Sequence, residues 1–393
     1  MFKIQTLNPI AVVGLQQFPP VLYQVGNDIS PADAILARSA DMHKMTLAPS
    51  VKVIGRAGAG VNNIPVATLT TQGIPVLNTP GANANAVREL VIAGMLLASR
   101  NICQAWNYVR QLSGDDTMEK QIEQDKKQFA GFELLGKTLG LVGLGNIGVK
   151  VANAAISLGM RVIGYDPTIT VNRAWELSAH VEQARSIDDL LAQADFISFH
   201  VPLTEETRNM INAPRFALMK TGVVLLNFAR DGILDNAALT QALDEKKVFA
   251  YINDFPNASL KNHPRVVSLP HLGASTQEAE DNCAIMIVKQ VRDFLENGTI
   301  TNSVNFPNLD APPLISGIRL AIANANVPNM VAQISAKLAL AKLNIVSLLN
   351  KSRDSIAYTL IDVDNEISEP LLKEIAEIPG VAQIRKIVAQ PRA

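Results

Sequence analysis

Short apolar runs separated by small or polar residues dominate positions 1–90. The runs at 34–38, 51–54 and 75–77 each end in a polar or Gly-containing turn, which predicts buried strands. Strands alternating with small-residue helical stretches predict a parallel sheet. Residues 88–100 (RELVIAGMLLASR) predict a buried helix at a domain boundary, and the charged stretch 114–128 predicts an exposed helix or loop. From 138 the pattern sharpens. It predicts a strand at 138–142, a Gly-rich turn at 143–148, a helix at 149–158 and a strand at 161–165. Further strands are expected at 196–200, 223–227, 249–253 and 266–269. One long helix covers 276–297 and stops at Gly298, a C-terminal cap signal.

The Pro-rich stretch 306–313 reads as a linker. Beyond 318 the order is strand (319–323), helix (330–340), two strands (345–349 and 356–363), helix (369–378) and strand (382–387). That βαββαβ order predicts a separate, ferredoxin-like α+β sandwich.

A chain of 393 residues exceeds one ordinary core, so two or three domains are expected. With 48% hydrophobic and 18% charged residues it is globular in composition. Thirty-five Lys+Arg against 36 Asp+Glu leave a net charge of −1, which removes the long-range attraction that a general nucleic-acid or membrane-surface binder needs. Cys103 and Cys283 stand far apart, and the five histidines form no cluster, so neither a disulfide scaffold nor a metal site is expected. The N-terminus lacks a signal-peptide pattern and no apolar stretch is long enough for a bilayer, which points to a cytoplasmic protein.

The strongest chemical signal is the run Gly143, Leu144, Gly145, Asn146, Ile147, Gly148, placed between a strand and a helix. Gly143 allows the tight turn, Gly145 lets a pyrophosphate approach the backbone, and Gly148 permits close helix packing. The phosphates would sit on the helix N-terminus. Asp166 ends the following strand, where a carboxylate accepts from ribose hydroxyls and repels a 2′-phosphate, favouring NAD over NADP. Arg230 follows an apolar strand directly, a position suited to gripping a planar carboxylate. His271, in Leu-Pro-His-Leu-Gly-Ala, also lies past a strand end and can exchange a proton near neutrality.

The ordered set GRAGAGVNNI (55–64), GLGNIG with Asp166, HVPLT, NFARDG and PHLGAST resembles the D-isomer-specific 2-hydroxyacid dehydrogenases, and the βαββαβ tail resembles an ACT regulatory domain. The resemblance implies two doubly wound, Rossmann-like α/β domains plus the ACT-like tail. Residues 1–92 and 276–305 would bind substrate, 93–275 would bind NAD, 306–317 would link, and 318–393 would regulate. It further implies that Arg230 holds the substrate carboxylate, that His271 is the acid/base, and that Arg38 and Arg56 contact substrate, suitably placed for a phosphate. Cofactor contacts would come from Gly143, Gly145, Asn146, Ile147, Gly148, Asp166, Val201, Pro202, Thr207, Phe228, Asp254, His271, Gly273 and Ala274. The implied reaction is NAD-dependent oxidation of 3-phospho-D-glycerate to 3-phosphohydroxypyruvate, towards L-serine, in a homodimer or homotetramer. Two rival readings are another D-2-hydroxyacid dehydrogenase, such as a glyoxylate/hydroxypyruvate reductase, and a non-catalytic NADH-sensing protein.

Three departures from the family pattern stand out. In YINDFPNAS (251–259) an ungapped reading puts Asn253 and Ala258 where the family has a nicotinamide-binding Asp and the histidine's Glu partner. A one-residue gap keeps Asp254 as the carboxamide acceptor but restores no Glu. Asp231 stands where the family has Gly after the arginine. In the tail, the effector motif His-x-Asn-x-Pro-Gly reads Asn324, Ala325, Asn326, Val327, Pro328, Asn329. Asn324, Asn326 and Asn344 are the effector-site candidates there, for an amino acid such as serine.

Overall fold

In the computed structural model, which describes residues 1–389, every strand of the two larger sheets runs parallel to its neighbours. The described chain divides into two compact units, one of residues 1–83 with 277–389 and one of residues 84–276.

The first sheet contains β1 (Phe2–Thr6), β2 (Tyr23–Gly26), β3 (Ala34–Ala37), β4 (Val53–Arg56) and β5 (Val76–Leu77), in the order β2-β1-β3-β4-β5. Strands β3, β4 and β5 match the apolar runs seen in the sequence. Strands β1 and β2 are additional to the expected ones; they alternate apolar Phe2, Ile4, Tyr23 and Val25 with polar Lys3, Gln5 and Gln24, over only five and four residues, and form no continuous apolar run. The returning helix Gln277–Asn297 buries Cys283, Ala284, Ile287, Val288, Val291, Phe294 and Leu295 in the core of this unit. Its approach is close: a Cβ on Gly14 would lie 2.5 Å from the Ala284 carbonyl carbon.

The second unit holds β6 (Thr138–Val142), β7 (Arg161–Tyr165), β8 (Val181–Gln183), β9 (Phe196–Phe199), β10 (Val223–Asn227), β11 (Val248–Asn253) and β12 (Val266–Ser268). Their order is β12-β11-β10-β9-β6-β7-β8. The chain leaves β6 towards β7 on one side and returns from β8 to β9 on the other, so the order reverses between β6 and β9. A doubly wound sheet binds ligands at that reversal, beyond the carboxyl ends of its strands. Leu139, Leu141, Phe196, Ile197, Phe199, Val224 and Ile252 are fully buried there, and replacing either phenylalanine with Ala would cost about 3–5 kcal/mol. The helix Ala84–Ser99 packs on β10 and β11 as one element, so this unit begins at Ala84, ahead of the expected boundary at 92/93.

The tail is β13 (Ile318–Ala325), helix Met330–Leu340, β14 (Ile345–Arg353), β15 (Ile356–Val363), helix Glu369–Ala376 and β16 (Val381–Val388). This is the expected βαββαβ order, folded as an antiparallel sheet β14-β15-β13-β16. Ile318, Leu320, Ile322, Ile361 and Val363 meet the two helices on one face. The opposite face supplies Ala321, Ala323, Ile356, Tyr358, Leu360 and Ile387 to the same core as Phe294 and Phe306. Tyr358 donates to the Gly298 carbonyl at 2.8 Å, and the Arg385 guanidinium lies 4.0 Å above the Phe294 ring.

The tail therefore shares a core with the first unit, where the sequence suggested a body of its own. Strand alternation gives its sheet two apolar faces, and its own helices cover only one. The expected linker is likewise built in: Phe306, Leu309 and Ala311 are buried, and Ile300 bridges Leu309. Among the described residues, no helix is long and apolar enough to cross a membrane.

Candidate functional site

In the second unit the predicted residues line up along one edge. Gly143 follows β6, Asp166 follows β7, the loop with Val201, Pro202 and Thr207 follows β9, Arg230 follows β10, Asp254 follows β11 and His271 follows β12. All of these strands are parallel, so all of these residues lie beyond carboxyl ends.

Gly143 has φ +96°, and a Cβ there would lie 2.7 Å from the His200 carbonyl oxygen. A Cβ on Gly148 would lie 2.1 Å from the Gly143 oxygen, so the helix Gly148–Ser157 starts hard against the turn. A Cβ on Gly145 would meet nothing within 4 Å. Among the described residues, the amides of Gly145, Asn146 and Ile147 donate to no acceptor. A dinucleotide's pyrophosphate fits this donor set: free N–H groups at a helix start beside an open backbone. Asp166 holds the turn from the other strand. Its Oδ2 accepts the Leu144 amide at 2.8 Å, and its Oδ1 accepts the Thr168 amide at 2.9 Å. Oδ1 also accepts the Thr168 hydroxyl at 3.1 Å, so Oδ2 is the oxygen that keeps a lone pair for a ribose hydroxyl.

Two expected cofactor residues have structural work of their own. The Thr207 hydroxyl donates to the Pro202 carbonyl at 2.6 Å, closing their loop. The Phe228 ring is buried against Gly94, where a Cβ would lie 3.0 Å from it.

Asn227, at the end of β10, was not singled out from the sequence. Its Nδ2 donates to the Arg230 carbonyl at 2.9 Å and its Oδ1 accepts the Ala229 amide at 3.2 Å, so it shapes the turn presenting Arg230. The Arg230 guanidinium donates to the Ala229 carbonyl at 2.6 Å and is partly exposed, while Asp231 beside it is exposed.

Asp254 is only 1% exposed. Its oxygens accept the amides of Leu272 and Gly273, each at 2.7 Å, which anchors the loop carrying His271. Asn253 donates to Ser268 at 2.9 Å and accepts the Phe255 amide at 3.0 Å. His271 itself is exposed, with φ +57°, and its ring lies 4.9 Å from that of Phe255. Within this unit an aromatic ring, and no carboxylate, is what the His271 imidazole meets. Ala274 is partly buried beyond Gly273.

The first unit brings Arg38 and Arg56 together at the ends of β3 and β4. Arg38 pairs with Glu280 at 2.6 Å, and Arg56 Nε donates to the Arg38 carbonyl at 3.1 Å. Gly58, φ +145°, leaves the space that the Arg56 guanidinium fills: a Cβ there would lie 1.5 Å from it.

In the tail, Asn324 and Asn326 line a pocket of about 230 Å³ with Asn329, Met330 and Asn350. Asn344 is not among its lining residues; its amide donates to Asp364 at 3.2 Å. The sequence also gave no sign of Asn350. Among the described residues, no group of three His, Cys, Asp or Glu could hold a metal ion.

Comparison with known proteins adds independent findings. Residues 92–273 match the family described as D-isomer specific 2-hydroxyacid dehydrogenase, NAD binding domain. A Methanocaldococcus jannaschii protein named D-3-phosphoglycerate dehydrogenase is 40% identical over 72% of this chain and 53% of its own length. A Haemophilus influenzae protein of the same name is 32% identical over 86% of this chain and 82% of its own length. An NAD-bound 3-phosphoglycerate dehydrogenase structure from Entamoeba histolytica is 28% identical, with a TM-score of 0.60, over 78% of this chain and 99% of the other. The chain spans about half the length of several curated relatives, the M. jannaschii protein among them.

Proposed function

This chain belongs to the D-isomer-specific 2-hydroxyacid dehydrogenases, and from that premise we propose that it oxidises 3-phospho-D-glycerate to 3-phosphohydroxypyruvate, a step towards L-serine. The observation that carries the reading is the single edge on which the Gly-rich turn, Asp166, Arg230, Asp254 and His271 succeed one another.

NAD, the cofactor of this family's nucleotide-binding domain, supplies a hydride acceptor when bound. The amides of Gly145, Asn146 and Ile147 would hold its pyrophosphate, and Asp166 would accept from its ribose. Arg230 grips the substrate carboxylate through its planar guanidinium. Arg38 and Arg56 take the phosphate. His271 removes the C2 hydroxyl proton as the C2 hydrogen leaves with its electron pair, so the alcohol becomes a ketone. Asp254 acts through the loop: by anchoring the Leu272 and Gly273 amides it fixes where the imidazole stands. Positioning of this kind supplies much of the rate in a two-substrate reaction.

The protein works in the cytoplasm as a homodimer or homotetramer. Exposed Ile102, Trp106 and Val109, spaced along one face of the helix Ile102–Gln111, support association through apolar surface. The tail pocket offers amide side chains to a small amino-acid effector.

Kinetics of two variants test the roles. Arg230→Ala should raise KM for the acid substrate and lower kcat, and His271→Gln should abolish most of kcat while NADH still binds. Activity in His271→Gln close to that of the unaltered protein would remove it as the base.

A further inference from the structure

Three successive backbone amides in the first unit converge on one side-chain atom. The N–H groups of Arg38, Ser39 and Ala40 all donate to Oδ1 of Asn8, at 3.2, 3.1 and 2.8 Å. Asn8 lies just past β1, and the three amides lie just past β3, its neighbour in the sheet. Consecutive amides arranged in this way form a concave, electropositive nest. Here the protein fills the nest itself.

A second brace comes from the end of β4 and the loop after it. Asn63 Nδ2 donates to the Ala40 carbonyl at 2.7 Å, and Arg56 Nε donates to the Arg38 carbonyl at 3.1 Å. The segment 38–40 is thus held by its amides from one side and by its carbonyls from the other. The same contacts tie the backbone of Arg38 to the guanidinium of Arg56.

We infer that Asn8 is a positioning residue for the substrate's anionic end, acting through Arg38 and, across the Arg38 carbonyl, through Arg56. The inference rests on the proposed reading that these two arginines contact that end. An arginine on a wandering loop must surrender backbone and side-chain freedom each time it grips an anion, which weakens binding. Asn8 removes the backbone share of that cost before the substrate arrives. Glu280 pairs with the Arg38 guanidinium at 2.6 Å, so an incoming anion shares that guanidinium with a carboxylate and the backbone brace is the part that favours binding. Nothing in this arrangement touches a reacting atom, so its signature is in KM and not in kcat.

The test is steady-state kinetics on the full-length chain with 3-phospho-D-glycerate, with NADH affinity followed by fluorescence. Asn8→Ala should raise KM about tenfold, leave kcat within about threefold, and leave NADH affinity unchanged. Asn8→Asp keeps an oxygen that accepts the same three amides and should recover most of the loss. Asn63→Ala, which removes the opposite brace, should repeat the KM effect and serves if Asn8→Ala does not fold. An unchanged KM in Asn8→Ala, or in Asn63→Ala in its place, would overturn the inference, as would Asn8→Asp as damaging as Asn8→Ala. Arg38→Ala separates this from the underlying reading. If Arg38→Ala raises KM and Asn8→Ala does not, Asn8 is dismissed and the arginine stands. If Arg38→Ala leaves KM unchanged, the assignment of Arg38 itself fails.

Discussion

Asp254 Oδ2 accepts the Gly273 backbone amide at 2.7 Å, inside a setting where Asp254 is 1% exposed. With Oδ1 on Leu272 at the same distance, the carboxylate clamps the two residues that follow His271. Hydrogen bonds to a charged acceptor contribute roughly 1.5–3 kcal/mol each. Asp254→Asn keeps one acceptor but turns an N–H donor towards a backbone N–H. The expected result is a loss of kcat of about tenfold or more, with a lower melting temperature, read by steady-state kinetics and thermal unfolding. Full activity in Asp254→Asn would show that the clamp does not position the histidine.

Cofactor choice is expected to rest on Asp166. Its carboxylate holds the Leu144 amide at 2.8 Å, and in the proposed reading it would also meet the ribose, serving both the ligand and the turn. The unaltered protein should strongly prefer NAD. Asp166→Ala should weaken NAD binding and narrow the preference over NADP, since the repulsion of a 2′-phosphate disappears. Equal use of NADP by the unaltered protein would contradict the assignment.

His200 lies beneath the Gly-rich turn. Its Nε2 meets the Ser198 hydroxyl at 3.0 Å, and its buried Nδ1 has no hydrogen-bond partner among the described residues. Burial lowers its pKa to about 4, whereas in the unfolded chain the ring titrates near ~6.5. Between those values the unfolded state binds more protons than the native state. Stability is therefore full above ~6.5 and falls as acid takes the pH down to about 4, by up to about 3 kcal/mol. Denaturant unfolding at several pH values should show this slope in the unaltered protein and a flatter one in His200→Gln. Equal slopes in the two would contradict a buried neutral ring.

L-Serine should inhibit weakly. Asn324 is 1% exposed and gives its Nδ2 to the Ala325 carbonyl at 2.8 Å, and Asn344 does not line the pocket. Of the pocket's other amides, Asn326 gives its Nδ2 to the Asp354 carbonyl at 2.9 Å and Asn350 gives its Nδ2 to the Thr359 hydroxyl at 2.7 Å, so a ligand's carboxylate meets donors that are already engaged. Strong inhibition in a steady-state assay, removed by Asn326→Ala, would contradict this.

What could be read from the sequence followed the range of the forces involved. The Gly143–Asp166 region was legible because its turn, helix start and strand are set by neighbours in the chain. The tail's βαββαβ order was legible through period-2 and helical alternation. The association of its second face with Phe294 and Phe306 was not, because that face is built from alanines and scattered apolar residues whose partners lie far off in sequence. The same holds at the site. Arg230 and His271 announce themselves by residue type after a strand. Asn227, Asn8 and the clamp of Asp254 on Leu272 and Gly273 consist of side chains meeting backbone groups, which leave no pattern along the chain.

The most direct test is NADH formation from NAD with 3-phospho-D-glycerate, D-glycerate and D-lactate assayed side by side. The expected result is the highest kcat/KM on 3-phospho-D-glycerate, lost with His271→Gln and reduced towards the D-glycerate value by Arg56→Ala. Comparable rates on D-glycerate or D-lactate would contradict the phosphorylated substrate, and no NADH formation from any of the three would contradict the dehydrogenase.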